Sequence, residues 1–270
     1  MNQTHPTSTP TVPAAPTGPA APTAHDGTGV LAPAEALTAL RTLSPGFGLD
    51  IGGVWYESST LIDDPETVAS LVSGHAAYRS IEAPRVAASL FFQRYCHRMS
   101  TAVIGSWVLT GRALDASAAQ VRLCVRDASP VSVHLSGTYR DEDSPEELVR
   151  GLVDEHLLPL AQRFGAHGVG LPNLWGNMAA SMGMAARQLS RIRDANLVRA
   201  AVEPVLATRP QLNRLGSFRI LEGPQGPRLF YDRRTCCHWH LVPDGAYCGY
   251  CSLLSDDERT ARYVASMQAE

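Results

Sequence analysis

Apolar and polar residues alternate along this chain with two periods, and those periods predict its elements. Leu37, Leu40 and Leu43 recur on one face of a short helix from Pro33 to Leu43, stopped by Ser44-Pro45-Gly46. After Gly52-Gly53, the run Val54-Trp55-Tyr56 reads as a short strand. Asp64 caps a helix that starts at Pro65 and runs to about Ser73. The stretch from Ala83 to Leu109 is largely apolar and predicts one or two buried helices, broken at Gly105. Val121, Leu123 and Val125 then alternate with Arg122, Cys124 and Arg126, and Val131, Val133 and Leu135 with Ser132 and His134. Two runs of period two around Asp127-Ala128-Ser129-Pro130 predict a hairpin with one covered face. Ser144-Pro145-Glu146-Glu147 is a capping box that opens a helix to about Phe164, ended by Gly165. Helices follow from about Pro172 to Arg193 and from about Ala195 to Ala207. Phe218–Leu221 and Arg228–Tyr231 flank Gly- and Pro-rich residues, a second hairpin signal. Ser255 to Glu258 caps a last helix to about Met267. Helices, hairpin, helices, hairpin, cysteine-bearing loop and helix predict an α+β chain, helix-rich, not alternating βαβ units.

Composition narrows this picture. A hydrophobic content of 44% over 270 residues suffices for a full core. The 23 basic residues are all Arg and the 26 acidic ones leave a net charge of −3, so no nucleic-acid partner is implied. No run of eighteen apolar residues exists, so no membrane span is expected. Met1 to Gly29 is rich in Pro, Thr and Ala and lacks a basic start or apolar core segment. It reads as a disordered tail, not a signal peptide. The expected division is a tail over 1–30, a helical and hairpin region over 31–215, and a C-terminal cysteine region over 216–270.

Four of the six cysteines fall within sixteen residues: Cys236, Cys237, Cys248 and Cys251, spaced C-C-x10-C-x2-C. Thiolates are soft ligands, and four of them suit zinc or an iron–sulfur cluster. The C-x2-C pair is a common chelating spacing. Adjacent side chains on an extended strand diverge, so Cys236 and Cys237 meet one centre only if the backbone kinks. A two-iron [2Fe–2S] group, with separated metal atoms, accommodates diverging thiolates more easily than one tetrahedral zinc. A redox dithiol is a further reading. Such clustering fits metal binding in a reducing, cytoplasmic compartment better than a disulfide framework. Four cysteines saturate a [2Fe–2S] core, so His238 and His240 are not needed as Rieske ligands. They are loop residues, or donors of a hydrogen bond to a cluster sulfur. Arg233 and Arg234 precede the ligands; they favour the reduced, more negative state, or Arg233 pairs with Asp232 and Arg234 is solvated. Cys96 and Cys124 read as packing residues.

The run Arg233-Arg234-Thr235-Cys236-Cys237 with Tyr247-Cys248-Gly249-Tyr250-Cys251 resembles the C-terminal [2Fe–2S] motif of the FhuF-type ferric-siderophore reductases. Leu174-Trp175-Gly176-Asn177-Met178-Ala179-Ala180 is similar to a stretch these proteins carry upstream, and the likeness extends over about residues 45 to 255. This chain departs from the family at His238 and His240, where apolar or aromatic residues are more usual, and at Ser252, where Pro is common. The resemblance implies a [2Fe–2S] cofactor on the four cysteines and one-electron reduction of a hydroxamate-type ferric siderophore. It also implies a ferredoxin-like or flavin-dependent electron-donor protein, since no nicotinamide or flavin fingerprint is present. Trp175 and Asn177 are core residues or one wall of the siderophore cleft. His156 and His167 have no nameable partner and are not assigned as ligands. The competing expectation is a siderophore-binding protein stabilised by zinc or a cluster, without redox work.

Overall fold

The computed structural model describes residues 29–43 and 52–269. The expected tail, apart from Gly29 and Val30, and the Ser44-Pro45-Gly46 stop lie outside them. The architecture is the expected α+β: helix-rich, with two small antiparallel sheets.

Its axis is α4 (Pro84–Thr110), one unbroken helix with buried residues along its whole length. The expected break at Gly105 does not occur. A side chain there would meet Leu40 Cδ2 at 2.2 Å, so the glycine serves close packing of α1 (Pro33–Leu43) on α4. The helix ends at Gly111, whose φ of 67° is the left-handed cap that glycine favours. On α1 the buried face is Ala36 and Leu40, while Leu37 is exposed. Against α4 packs α7 (Leu171–Leu189), an equally buried helix. Side chains at Gly176 and Gly183 would collide with Thr235 Oγ1 at 1.8 Å and Tyr231 Cγ at 2.2 Å. Seven residues apart, these glycines lie on one face and let the chain leading to the cysteines settle on α7.

The first sheet adds β1 (Val54–Glu57) to the expected hairpin of β2 (Val121–Arg126) and β3 (Ser129–Leu135), all antiparallel. Its turn is tighter than the polar run suggests: Asp127 and Ala128, both at positive φ, make a two-residue connection and leave Pro130 inside β3. Short α2 (Ser58–Asp63) precedes α3 (Pro65–Tyr78), which is capped by the Asp64 carboxylate on Glu66 N–H at 3.0 Å. Helix α5 (Pro145–Val149) is capped by Ser144, which accepts from Glu147 N–H at 3.2 Å. Glu147 spends its carboxylate on Arg140 and Arg150 instead of closing the box. The chain then widens into a π-helix, Arg150–Leu157, before α6 (Leu158–Gly165). Pro159, just beyond the wide turn, has no N–H to offer an α-helical ladder.

After α8 (Ala195–Ala207) and α9 (Pro210–Asn213), the second hairpin pairs β4 (Gly216–Leu221) with β5 (Arg228–Arg233). Leu229 and Tyr231 of β5 and Val242 of the cysteine loop belong to the main core, so regions 31–215 and 216–270 share it. Helix α10 (Asp256–Gln268), opened by a full Ser255–Glu258 capping box, covers the outer side of β5. There Phe230 stacks on Tyr263 at 4.2 Å, and Asp232 takes Arg219 at 2.6 Å, Arg259 at 3.3 Å and the Tyr263 hydroxyl at 2.9 Å.

Candidate metal centre

Strand β5 delivers the site. Alternation sends Arg233 inward and Arg234 outward at its end. Arg234 is exposed and donates to Arg214 O at 3.1 Å. Arg233 is 1% exposed. It does not pair with Asp232, whose carboxylate is taken by Arg219 and Arg259. Its Nη2 donates to Asn177 Oδ1 at 2.9 Å and reaches Thr235 Oγ1 at 3.4 Å. Its Nε and Nη1 are buried with no partner among the described residues. A buried cation without a counter-charge costs several kcal/mol, on the order of 3–5. The Arg233 Cζ lies 6.0 Å from the Tyr250 ring, and its charge bears on Cys236, Cys237 and Cys248.

The cysteine loop folds over it. Just after the adjacent pair, and not between its two members, the backbone turns at His238, which sits at φ 72°, a left-handed conformation histidine adopts more readily than most residues. That turn aims His238 N–H at Cys236 Sγ, 3.3 Å away, and His240 Nδ1 lies 3.5 Å from the same sulfur. His238 Nδ1 is buried without a partner among the described residues. Cys248 and Cys251 close a tight turn through Cys251 N–H to Cys248 O at 3.1 Å. The Cys237 and Cys248 sulfurs stand 3.8 Å apart. Two thiolates on one tetrahedral metal with bonds near 2.3 Å stand about 3.8 Å apart, so this pair already has a shared-metal spacing. Among the described residues no three His, Cys, Asp or Glu side chains converge on a single ion. The four cysteines therefore stand as one close pair flanked by Cys236 and Cys251. The hydrogen bond from Cys248, and then Arg233, pull the Cys237 thiol down to about 6. Burial pushes Cys236 up. A donor set of four thiols near a buried guanidinium with two unpartnered nitrogens fits an anionic metal–thiolate group.

The backbone of the loop is held by α4 and α7. Asn173 Nδ2 donates to Cys236 O, and the Ser89 hydroxyl lies 2.9 Å from Asn173 Oδ1 and 3.3 Å from Cys237 O. Asn177 Nδ2 donates to Ser89 O at 3.2 Å and Ser89 Oγ at 3.1 Å. Asn177 is thus fully buried and serves Arg233 and Ser89, while Trp175 is buried in the core; neither lines the cavities described next. Ser89 and Asn173 carry no sequence signal beyond the one-turn spacing of Asn173 and Asn177.

One cavity adjoins the sulfurs, and a second shares Arg94 and His97 with it. The first, of about 230 Å³, lies against Cys237 and Cys248 and is lined by His75, Arg79, Arg94, His97, Trp239 and Tyr250. The second, of about 250 Å³, is lined by Arg94, His97, Arg98, Thr101, Ser181 and Gln188. Burial, then the Arg233, Arg98 and Arg94 charges, press His97 down to about 3, so it is neutral.

A family model described as "Ferric iron reductase FhuF-like transporter" matches residues 89–225, from Ser89 on α4 to the turn before β5. It covers Ser89, Asn173 and Asn177, which hold the loop, and stops short of Cys236. No curated protein matches this sequence. On that match, spanning half its length and the two helices that carry the site, this chain belongs to the FhuF-like ferric iron reductase family.

Proposed function

We propose that the chain is a cytoplasmic ferric-siderophore reductase that carries a [2Fe–2S] group on Cys236, Cys237, Cys248 and Cys251. The observation behind this reading is Arg233: a buried guanidinium with two unpartnered nitrogens and no carboxylate among the described residues, whose charge bears on the cysteine thiols. The group when bound would supply one-electron chemistry at those sulfurs. The chain's own residues do the rest. Arg233 offsets the negative charge of the thiolates and favours the state carrying one electron more. His240 and the His238 N–H stand at hydrogen-bond range of Cys236, where they stabilise charge on sulfur. Asn173 and Ser89 fix the carbonyls of the two adjacent cysteines and so the direction in which their sulfurs point.

One electron enters from a ferredoxin-like or flavin-dependent donor protein and one leaves to the substrate Fe(III); no bond in the siderophore breaks. Hydroxamate oxygens are hard donors that hold Fe(III) far better than Fe(II), so the reduced ion is released. Among the described residues no helix is long and apolar enough to cross a membrane. The test is anaerobic: protein reduced with dithionite is mixed with ferric hydroxamate in a stopped-flow cell. The proposal expects the stronger visible absorption of the oxidised protein to return and Fe(II) to appear in equal amount. A protein that stays reduced before every ferric chelate offered would instead be a siderophore-binding protein without redox work.

A further inference from the structure

The cavity beside the sulfurs and its neighbour have a chemistry of their own. Arg94 and His97 stand in the walls of both. At about 230 and 250 Å³ each is somewhat smaller than the roughly 300 Å³ at which small-molecule sites begin. Among the described residues no Asp or Glu lines either one. Arg79 and Arg94 each keep a buried Nε without a partner, and neither guanidinium has a carboxylate among the described residues. Arg79 is held by stacking, its Cζ 5.6 Å from the Trp239 ring and 5.5 Å from Tyr78. In the second cavity the hydroxyl of Ser181, 1% exposed, is likewise unpartnered among the described residues. Buried polar groups are normally satisfied, so a cluster of unused donors in a cavity marks a missing acceptor.

The cluster's own charge does not supply that acceptor for both arginines. Arg233 already faces the sulfurs from the protein side, whereas Arg79 and Arg94 line the space in front of Cys237 and Cys248. A cation wall there lowers the repulsion between an anionic electron donor and an anionic acceptor brought close together. We propose that the cavity in front of Cys237 and Cys248, extended past Arg94 and His97 into its neighbour, binds a net-anionic ferric chelate through its carboxylates, with Arg94 central and Arg79 gripping the end nearest the sulfurs. Among hydroxamate-type chelates the preferred ones carry carboxylate groups, and a neutral tris-hydroxamate is a poor ligand. This rests on the reductase reading for its choice of ferric complexes.

Gallium(III) separates the two ideas, because it has the charge of Fe(III) without its redox chemistry. The full chain as purified is titrated calorimetrically with gallium citrate, free citrate and the neutral gallium tris(acetohydroxamate). Gallium citrate is expected to bind at least about tenfold more tightly than the neutral complex, the worth of one charge-assisted hydrogen bond. Arg94→Gln removes most of that preference, Arg94→Lys restores part of it, Arg79→Gln weakens it, and added salt reduces it. Circular dichroism shows that each variant is folded; should Arg94→Gln unfold, Arg79→Gln and the salt series carry the decision. Equal affinity for the two complexes, no binding of either, tighter binding of free citrate, or a preference indifferent to both arginines overturns the proposal. Electron transfer is read apart. A chain that reduces the neutral ferric complex without any anion preference keeps the reductase reading and loses this inference. A chain that binds gallium citrate but passes no electron does the reverse.

Discussion

Two of the buried polar networks among the described residues differ in whether they close. In the first, Ser58 Oγ lies 2.6 Å from the Tyr95 hydroxyl, which lies 2.7 Å from His156 Nε2, while His156 Nδ1 lies 2.8 Å from Ala116 O. The Ala116 carbonyl only accepts, so Nδ1 carries the proton, Nε2 accepts from Tyr95, and Ser58 donates to Tyr95. All are neutral and every ring nitrogen and hydroxyl is used. The second runs from Ser89 and Asn173 through Asn177 to Arg233 and ends in a cation with Nε and Nη1 unused. A closed neutral network contributes stability and specifies the packing of α2, α4 and the π-helical segment. An open one that ends in a buried charge costs stability unless something outside the chain completes it. Of two equally buried networks, only the second points to a ligand.

That contrast breaks most severely at the sulfurs. Cys237→Ser removes one half of the close pair and is expected to lose the bound metal, read by metal analysis, while far-ultraviolet dichroism retains the helices. Arg233→Met comes next. Replacing an unpaired buried charge by an apolar side chain is expected to stabilise the metal-free chain by about 1–4 kcal/mol in urea unfolding. The same variant, loaded with metal, is expected to show a reduction potential lower by at least about 59 mV, one factor of ten for a single electron. Opposite signs in the two measurements would be hard to obtain from a residue that only packs. Tyr95→Phe should behave the other way: about 1–3 kcal/mol of stability lost, since His156 Nε2 is left without its donor, and no change in potential.

The smallest effect is in pH. Burial holds His156 at about 4 against an ordinary 6.5. Below 6.5 the unfolded chain takes up a proton that the folded one refuses, so stability falls with pH until both states are protonated near 4. This group should cost about 2 kcal/mol between pH 7 and 5, a loss that His156→Gln removes from the pH profile.

Much of the frame was legible in the sequence. Period two marked the first hairpin, the Gly- and Pro-rich turn marked the second, and Asp64 and Ser255 capped their helices as their chemistry dictates. The cysteine spacing stood out because thiols so crowded have few other uses. What was hidden depends on close approach between distant segments. Gly105, read as a break, is a contact point for Leu40, and Gly176 and Gly183 exist for Thr235 and Tyr231. Asp232 is the neighbour of Arg233 in sequence, yet strand alternation turns the two apart and gives Arg233 to Asn177, 56 positions earlier. Arg79, Arg94 and His97 lie in stretches whose apolar pattern announces core, so their meeting in one cavity is a product of how α3 and α4 cross.

The central claim is that the open network is completed by an anionic two-iron centre on Cys236, Cys237, Cys248 and Cys251. Its most direct test is the iron, acid-labile sulfide and zinc content of the full chain purified without oxygen. The account predicts red-brown protein holding iron and sulfide in equal amounts and little zinc. Colourless protein with a single zinc and no sulfide would contradict it.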